Sequence, residues 1–228
     1  MEIRSVIERR ILLNYQLDRA LARDLLPAPL RPQIVQGNAV AGTCFIRLAQ
    51  ARPAGIPASL GWRMENAADR IAVEWDGPDG VQRGVFLPQQ FSGSRFAAAS
   101  GRWLPGPGER GTFRVQETDR EFRLEMHARE QFTRVHAKRA ENWHSDLFPS
   151  HRAASEFVAA SPVAWSAAAR TGVLTGVRLR TGYWATSPLE VRELESSFFN
   201  ALPADSARFD HALLMQAIPA RWSRAAGP

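Results

Sequence analysis

Lysine is nearly absent from this chain. Of 29 basic residues among 228, one is lysine, Lys138, and the rest are arginine. Chemistry that needs a side-chain amine therefore has a single candidate. Cysteine is as scarce: Cys44 stands alone, which excludes an internal disulfide and fits a reducing compartment. No apolar run approaches the roughly 20 residues of a membrane-spanning helix. The start, MEIRSVIERRILLNY, places Glu and Arg where a signal peptide needs a continuous apolar core. Repeats and low-complexity segments are lacking. So are the GxGxxG, P-loop and flavin fingerprints; GRWLPGPGERG has the glycines without the strand–turn–helix setting. A cytoplasmic protein with no cofactor and no membrane partner is the expectation.

What is present is ordinary globular composition, 45% hydrophobic and 23% charged, which excludes a disordered chain. At this length one domain over residues 1–228 is expected, burying roughly 70–75% of its unfolded surface without a metal or disulfide. The net charge of +6 is scattered, with doublets at Arg9-Arg10 and Lys138-Arg139 and no basic run of five. Specific nucleic-acid recognition needs a concentrated basic face, so it is not expected.

The pattern is mostly strand. Residues 4–15 read as a first strand, and Asp18 caps a short helix, DRALARDLL, that stops before Pro27. A strand follows over 38–48, and ARPAGIPASLGW reads as a loop. Ile71, Val73 and Trp75 alternate with polar neighbours, and DGPDG turns the chain into a hairpin ending near Leu87. Phe122, Leu124 and Met126 mark a second hairpin with its turn near Asp119. RAASEFVAA, 152–160, is helical; GVRLRTGYW, VRELESSFF and FDHALLMQAI return to strand. Nine or ten strands with two or three short helices and no βαβ rhythm predict a mainly β (α+β), mostly antiparallel sheet curled around a core.

LLPAPLRP, ARPAGIP, ENAADRIAVEW, RGVFLPQQ, GRWLPG, ESSFF and FDHALLMQAI with a following Trp occur in order along nearly the whole chain. As a set they resemble the YqjF-like domain of unknown function, within the acetoacetate decarboxylase-like superfamily. The resemblance implies a closed, cone-shaped β-barrel-like sheet around a small-molecule cavity, and it leaves room for a homo-oligomer. The superfamily's decarboxylases form an imine on a lysine that follows a strand and a Pro, with a second lysine lowering its pKa. The similar segment here is Gly84-Val85-Phe86-Leu87-Pro88-Gln89-Gln90. Glutamines stand where the two lysines are expected, and an amide cannot form an imine. Lys138 has a cationic neighbour, Arg139, but its context, TRVHAKRAENW, reads as a solvated surface turn.

The candidate site residues follow from that resemblance. Glu65, Asn66 and Arg70 lie in ENAADRI, taken as the approach to a strand. There Arg70 could grip a carboxylate bidentately, and Glu65 could act as general acid or base if burial raises its pKa. The plainer alternative is an Arg–Glu pair tying a loop to the wall. Gln89 and Gln90 could hydrogen-bond a carbonyl or carboxylate together with Asn66, although alternation points only one of the two glutamines inward. Ser196-Ser197-Phe198-Phe199 has no GxSxG elbow and reads as packing. Glu141, His144, Asp146 and His151 cluster without an HExxH spacing, so no metal site is expected. Trp75 and Trp184 read as core or cavity wall.

Two functions of different class remain. One is a small-molecule site for an oxo or carboxylic acid, carrying out a lyase- or hydratase-type step without an imine. The other is a non-catalytic ligand-binding or interaction domain.

Overall fold

The structure is a computed structural model that describes residues 2–94, 108–168 and 171–228. The segment GRWLPGP, which holds all of GRWLPG and the start of GRWLPGPGERG, therefore lies outside the described residues. Alternating apolar residues in the first and last segments build the two strands that frame the fold. These are β1 (Glu2–Leu17) and β14 (Ala207–Arg224), antiparallel partners along nearly their full lengths.

β1 also pairs with β4 (Asn38–Pro53), β4 with β5 (Trp62–Gly77), and β5 with β6 (Gly80–Ser92), all antiparallel. β6 meets β11 (Val163–Ala167) in parallel, β11 pairs with β12 (Leu174–Thr181), and β12 returns to β14. The pairing β1-β4-β5-β6-β11-β12-β14-β1 closes a ring of seven strands. From β14 the same sheet runs outward through β13 (Ser187–Ser196), β10 (Gln131–Arg139), β9 (Glu121–Ala128) and β8 (Thr112–Glu117). Three two-residue strands, β2 (Arg31–Pro32), β3 (Ile34–Val35) and β7 (Glu109–Arg110), add to the edges of β5, β4 and β6. The expected mostly antiparallel, curled β fold is what the chain adopts.

The period of two along each strand sorts the side chains onto two faces. Ile11, Leu13, Phe45 and Ile71 leave the ring outward and pack against Phe122, Leu124, Met126 and Val135 of the outer layer in the largest apolar cluster. The opposite face points into the ring, where Leu12, Val40, Cys44, Ala72 and Leu213 meet α2 (His151–Ala159) through Ala154 and Val158. Ser150 caps α2 by accepting from the Ala153 N–H, the reason the helix starts where it does. α1 (Arg19–Asp24) is likewise capped by Asp18, and α3 (Ser197–Asn200) is one turn after β13. No helix among the described residues is long and apolar enough to cross a membrane.

Three local expectations need correction. ENAADRI is the middle of β5, not its approach, because its backbone pairs with β4 on one side and β6 on the other. TRVHAKRAENW begins as strand β10: Thr133, Val135 and Ala137 are buried, and Arg134, His136 and Lys138 are simply its other face. The ARPAGIPASLGW loop shrinks to 54–61, because β4 runs to Pro53 and β5 starts at Trp62.

Candidate functional site inside the strand ring

The strand register splits the sequence-predicted residues in two. Asn66 and Arg70 lie on the inward face of β5, and Gln90 lies opposite Ala68 on that same face. Glu65 and Gln89 lie on the outward face. Glu65 and Arg70 are five residues apart on one strand and so cannot converge on one ligand.

Glu65 is taken up by structure. It accepts from Arg9 Nη2 at 2.6 Å and from Arg47 Nε, and Glu117 of β8 accepts from the same two arginines. This four-charge knot joins β1, β4 and β5 of the ring to the outer layer. The plainer Arg–Glu reading thus describes Glu65, with Arg9 and Arg47 as its partners in place of Arg70.

Arg70 is in a different situation. Only 2% of it is exposed. Its Nη2 donates to Asn14 Oδ1, its Nε has no hydrogen-bond partner, and no carboxylate pairs with it among the described residues. Burial pushes the guanidinium down to about 10, which leaves it charged at neutral pH. An unpaired buried charge is costly. Register explains how Arg70 reaches Asn14. Asn14 of β1 faces Gly42 of β4, and Gly42 faces Arg70 of β5. With no side chain at Gly42, the guanidinium crosses the middle strand.

The same row continues to β14, where Asn14 faces His211. A bulge at Asp210 interrupts β14 there, since the next paired residues are Tyr15 and Phe209. His211 Nδ1–H donates to Asp210 Oδ2 at 2.6 Å. Asp210 also accepts from Gln16 Nε2 at 2.9 Å, from Ser145 Oγ and from the Asp146 N–H at 2.9 Å. Burial opposes its ionisation, but these donors outweigh it and hold the carboxyl well below the usual range. Burial, aided by Arg70 and His151, pushes His211 below the ordinary histidine value against the pull of Asp210. The Nδ1 contact fixes the tautomer and leaves Nε2 as an acceptor. That Nε2 is buried with no partner among the described residues. The rings of Trp143 and Phe148 stand 5.0 and 5.5 Å from the imidazole. A cleft of about 520 Å³ reaches His211 and Asp210, with Trp143 and His144 in its lining.

Sequence reasoning has no signal for His211. Adjacent residues on a regular strand point to opposite faces, and only the bulge turns both members of the Asp–His pair one way. Asn66, 6% exposed, also has both amide atoms unpartnered among the described residues, on the inward face.

On the outward face Asp69 faces Gln89 across β5 and β6. Thr43 Oγ1 donates to Asp69 Oδ1 at 2.6 Å. Burial, opposed by that bond, pushes the carboxyl up to about 7. Gln89 Oε1 is buried and has no partner among the described residues, and Gln89 and Gln90 line a second cleft of about 550 Å³ with Arg129, Glu130 and Ser166. Lys138 lies on the outer face of β10, 3.1 Å from Glu190. Asp146 pairs with Arg208 at 2.6 Å and His151 with Thr186 at 2.9 Å, so the loop acids and histidines do not converge. Ser197 Oγ bonds the Gln131 side chain and the Phe132 backbone, a packing role. Trp75 stacks edge-on against Trp165 in the outer core, and Trp184 donates to Ser155 of α2.

Solved structures share this fold. An acetoacetate decarboxylase-like enzyme from Sphingomonas wittichii RW1 is similar with a TM-score of 0.64 at 14% identity, over 99% of this chain and 91% of that one. The enduracididine biosynthesis enzyme MppR, complexed with pyruvate, gives 0.61 at 13% identity over 99% and 90%. Acetoacetate decarboxylase from Legionella pneumophila gives 0.60 at 12% identity over 100% and 88%. No curated protein matches the sequence. Residues 5–216 match the DUF2071 family, described as an uncharacterized conserved protein, and the chain belongs to that family, on an acetoacetate decarboxylase-like fold.

Proposed function

We propose that the interior of the strand ring binds a small oxo or carboxylic acid by its carboxylate, and that the protein acts on it without Schiff-base chemistry in a lyase- or hydratase-type step. The observation that carries this reading is Arg70: a buried guanidinium whose one described partner is a neutral amide. A carboxylate on its free edge would supply the missing charge and accept from Nε. Asn66, with two unpartnered amide atoms on the same face, offers polar contacts further along. The pyruvate complex of MppR makes 2-oxo acids the first ligands to try. The sole side-chain amine, on Lys138, is ion-paired on an exposed face, which supports chemistry without an imine. A reducing, cytoplasmic setting suits the single buried Cys44.

The test is a thermal-shift and calorimetric screen with pyruvate, acetoacetate and acetate. Wild type gains stability from at least one of them, and Arg70→Met does not. Equal gains by both proteins would remove Arg70 from the site. Borohydride added with acetoacetate should leave Lys138 unmodified by mass spectrometry; a carbon adduct there would overturn the imine-free reading. Binding with no turnover of any tested acid would favour the non-catalytic alternative.

A further inference from the structure

We propose that His211, oriented by Asp210, is the proton-transferring group of this site, and that its substrates are short 2-oxo acids with a hydrogen on the carbon next to the carbonyl. The inference rests on the reading that Arg70 holds the ligand's carboxylate.

Three independent observations converge on it. The first is orientation. Asp210 is fixed by donors from β1, from β14 and from the connection after β10. An imidazole whose Nδ1–H is held by such a carboxylate is a general base at Nε2. The second is the state of that nitrogen, buried and without a partner among the described residues. Native proteins seldom leave such an atom unsatisfied.

The third is distance. The guanidinium end of Arg70 lies at Asn14 Oδ1, and Asn14 is the register partner of His211. Directly facing residues in antiparallel strands have Cβ atoms about 4.5–5.5 Å apart. A carboxylate seated on the guanidinium therefore brings an atom two or three bonds away to the imidazole, which selects a short acid. Trp143 and Phe148 wall the ring with apolar surface, and a cleft reaches His211 from the side of β10 and β13.

The step balances with no co-reactant. Nε2 takes a proton from C3; the C–H electron pair becomes the C2–C3 double bond, and the carbonyl π pair moves onto the C2 oxygen. The imidazolium returns a proton to C3 in the reverse step. In D2O the imidazolium trades its Nε2 proton for a solvent deuteron before the return step, so C3 acquires deuterium.

The probe is 2-oxobutanoate in D2O, with loss of the C3 proton signal followed by NMR and binding followed separately by calorimetry. Wild type should bind it and exchange C3. The rate should rise with pH through a single ionisation below the ordinary histidine value, set by Asp210, Arg70 and His151 around the ring. His211→Gln should keep binding and lose exchange by about 100-fold or more. Asp210→Asn, a change in a positioning residue, should shift the pH profile as well as lower the rate.

Wild type that binds without exchange overturns the base and leaves the Arg70 reading standing. Wild type that does not bind removes both. Unchanged exchange in His211→Gln overturns the assignment to this residue. Should that variant fail to fold, the wild-type imidazole answers by nitrogen NMR: saturation with 2-oxobutanoate should move the Nε2 resonance, and an unmoved resonance overturns the proposal.

Discussion

Arg70 on β5 donates to Asn14 on β1 across an intervening strand that contributes only Gly42 to the row. The arrangement holds a cation in the ring interior at a cost in stability. Removing that charge while keeping its volume should therefore stabilise the fold. Arg70→Met is expected to raise the unfolding free energy in urea by about 1–3 kcal/mol, as replacement of buried ionic groups by apolar ones often does, while losing the response to oxo acids. A variant less stable than wild type would mean that Arg70 holds the ring together.

Gly42 is open to an equally direct test. A β-carbon built there would stand 2.1 Å from the Leu13 carbonyl oxygen, a backbone atom that cannot move without opening the β1–β4 pairing. Gly42→Ala should cost about 3 kcal/mol, at the upper end of overpacking penalties, read as a lower urea midpoint. Tolerance of the methyl would show that the two strands have slack, and the passage of Arg70 over β4 would then need another account.

Glu65 should matter for stability and not for ligand chemistry. Arg9 is 1% exposed, and Glu65 and Glu117 are the two carboxylates that answer it. Burial pushes Glu117 upward, but hydrogen bonds from Arg9 and Arg47 win and hold it below the ordinary value. Glu65→Gln leaves Arg9 half-compensated. Breaking a fully buried pair costs about 3–5 kcal/mol; with Glu65 itself 17% exposed, about 1–3 kcal/mol is expected. Oxo-acid binding should be unchanged within error. Loss of binding with stability intact would return Glu65 to the site.

The strand periodicity that separates Glu65 from Arg70 also explains how far the sequence could be read. Alternation in RIAVEW and EFRLEMHA locates β5 and β9 because one face of each is apolar. It fails over ENAADRI, where both faces carry polar residues whose partners come from strands far away in sequence: Asn14 for Arg70, and Arg9 and Arg47 for Glu65. Arg70 was legible as a candidate anion-binding residue from its type and family position. Glu65 as its neighbour was not, since the two share a strand at odd spacing. His211 was illegible for a subtler reason: its pairing with Asp210 depends on a bulge, and a bulge depends on the register between β1 and β14, which no local pattern encodes.

Asp69 gives a prediction in which the sign of the pH dependence is the test. Its carboxyl ionises at 3.8 when unperturbed and at about 7 in the folded protein. The folded state therefore binds this proton more tightly than the unfolded chain. Stability contributed by Asp69 is complete below about pH 4 and is lost as pH rises towards 7. His211, displaced downward, acts in the opposite sense, so wild type alone would mix the two. The difference between wild type and Asp69→Asn isolates Asp69. The amide can still accept from Thr43 Oγ1, and its new N–H₂ faces the unpartnered Oε1 of Gln89, the register partner. Asp69→Asn should match wild type within about 1 kcal/mol at pH 4.5 and exceed it by about 2 kcal/mol or more at pH 8 in urea unfolding. A gap that is constant from pH 4.5 to 8, or that shrinks as pH rises, would show that Asp69 is ionised throughout, and its burial beside Tyr15 and Gln89 would need a cation to answer it.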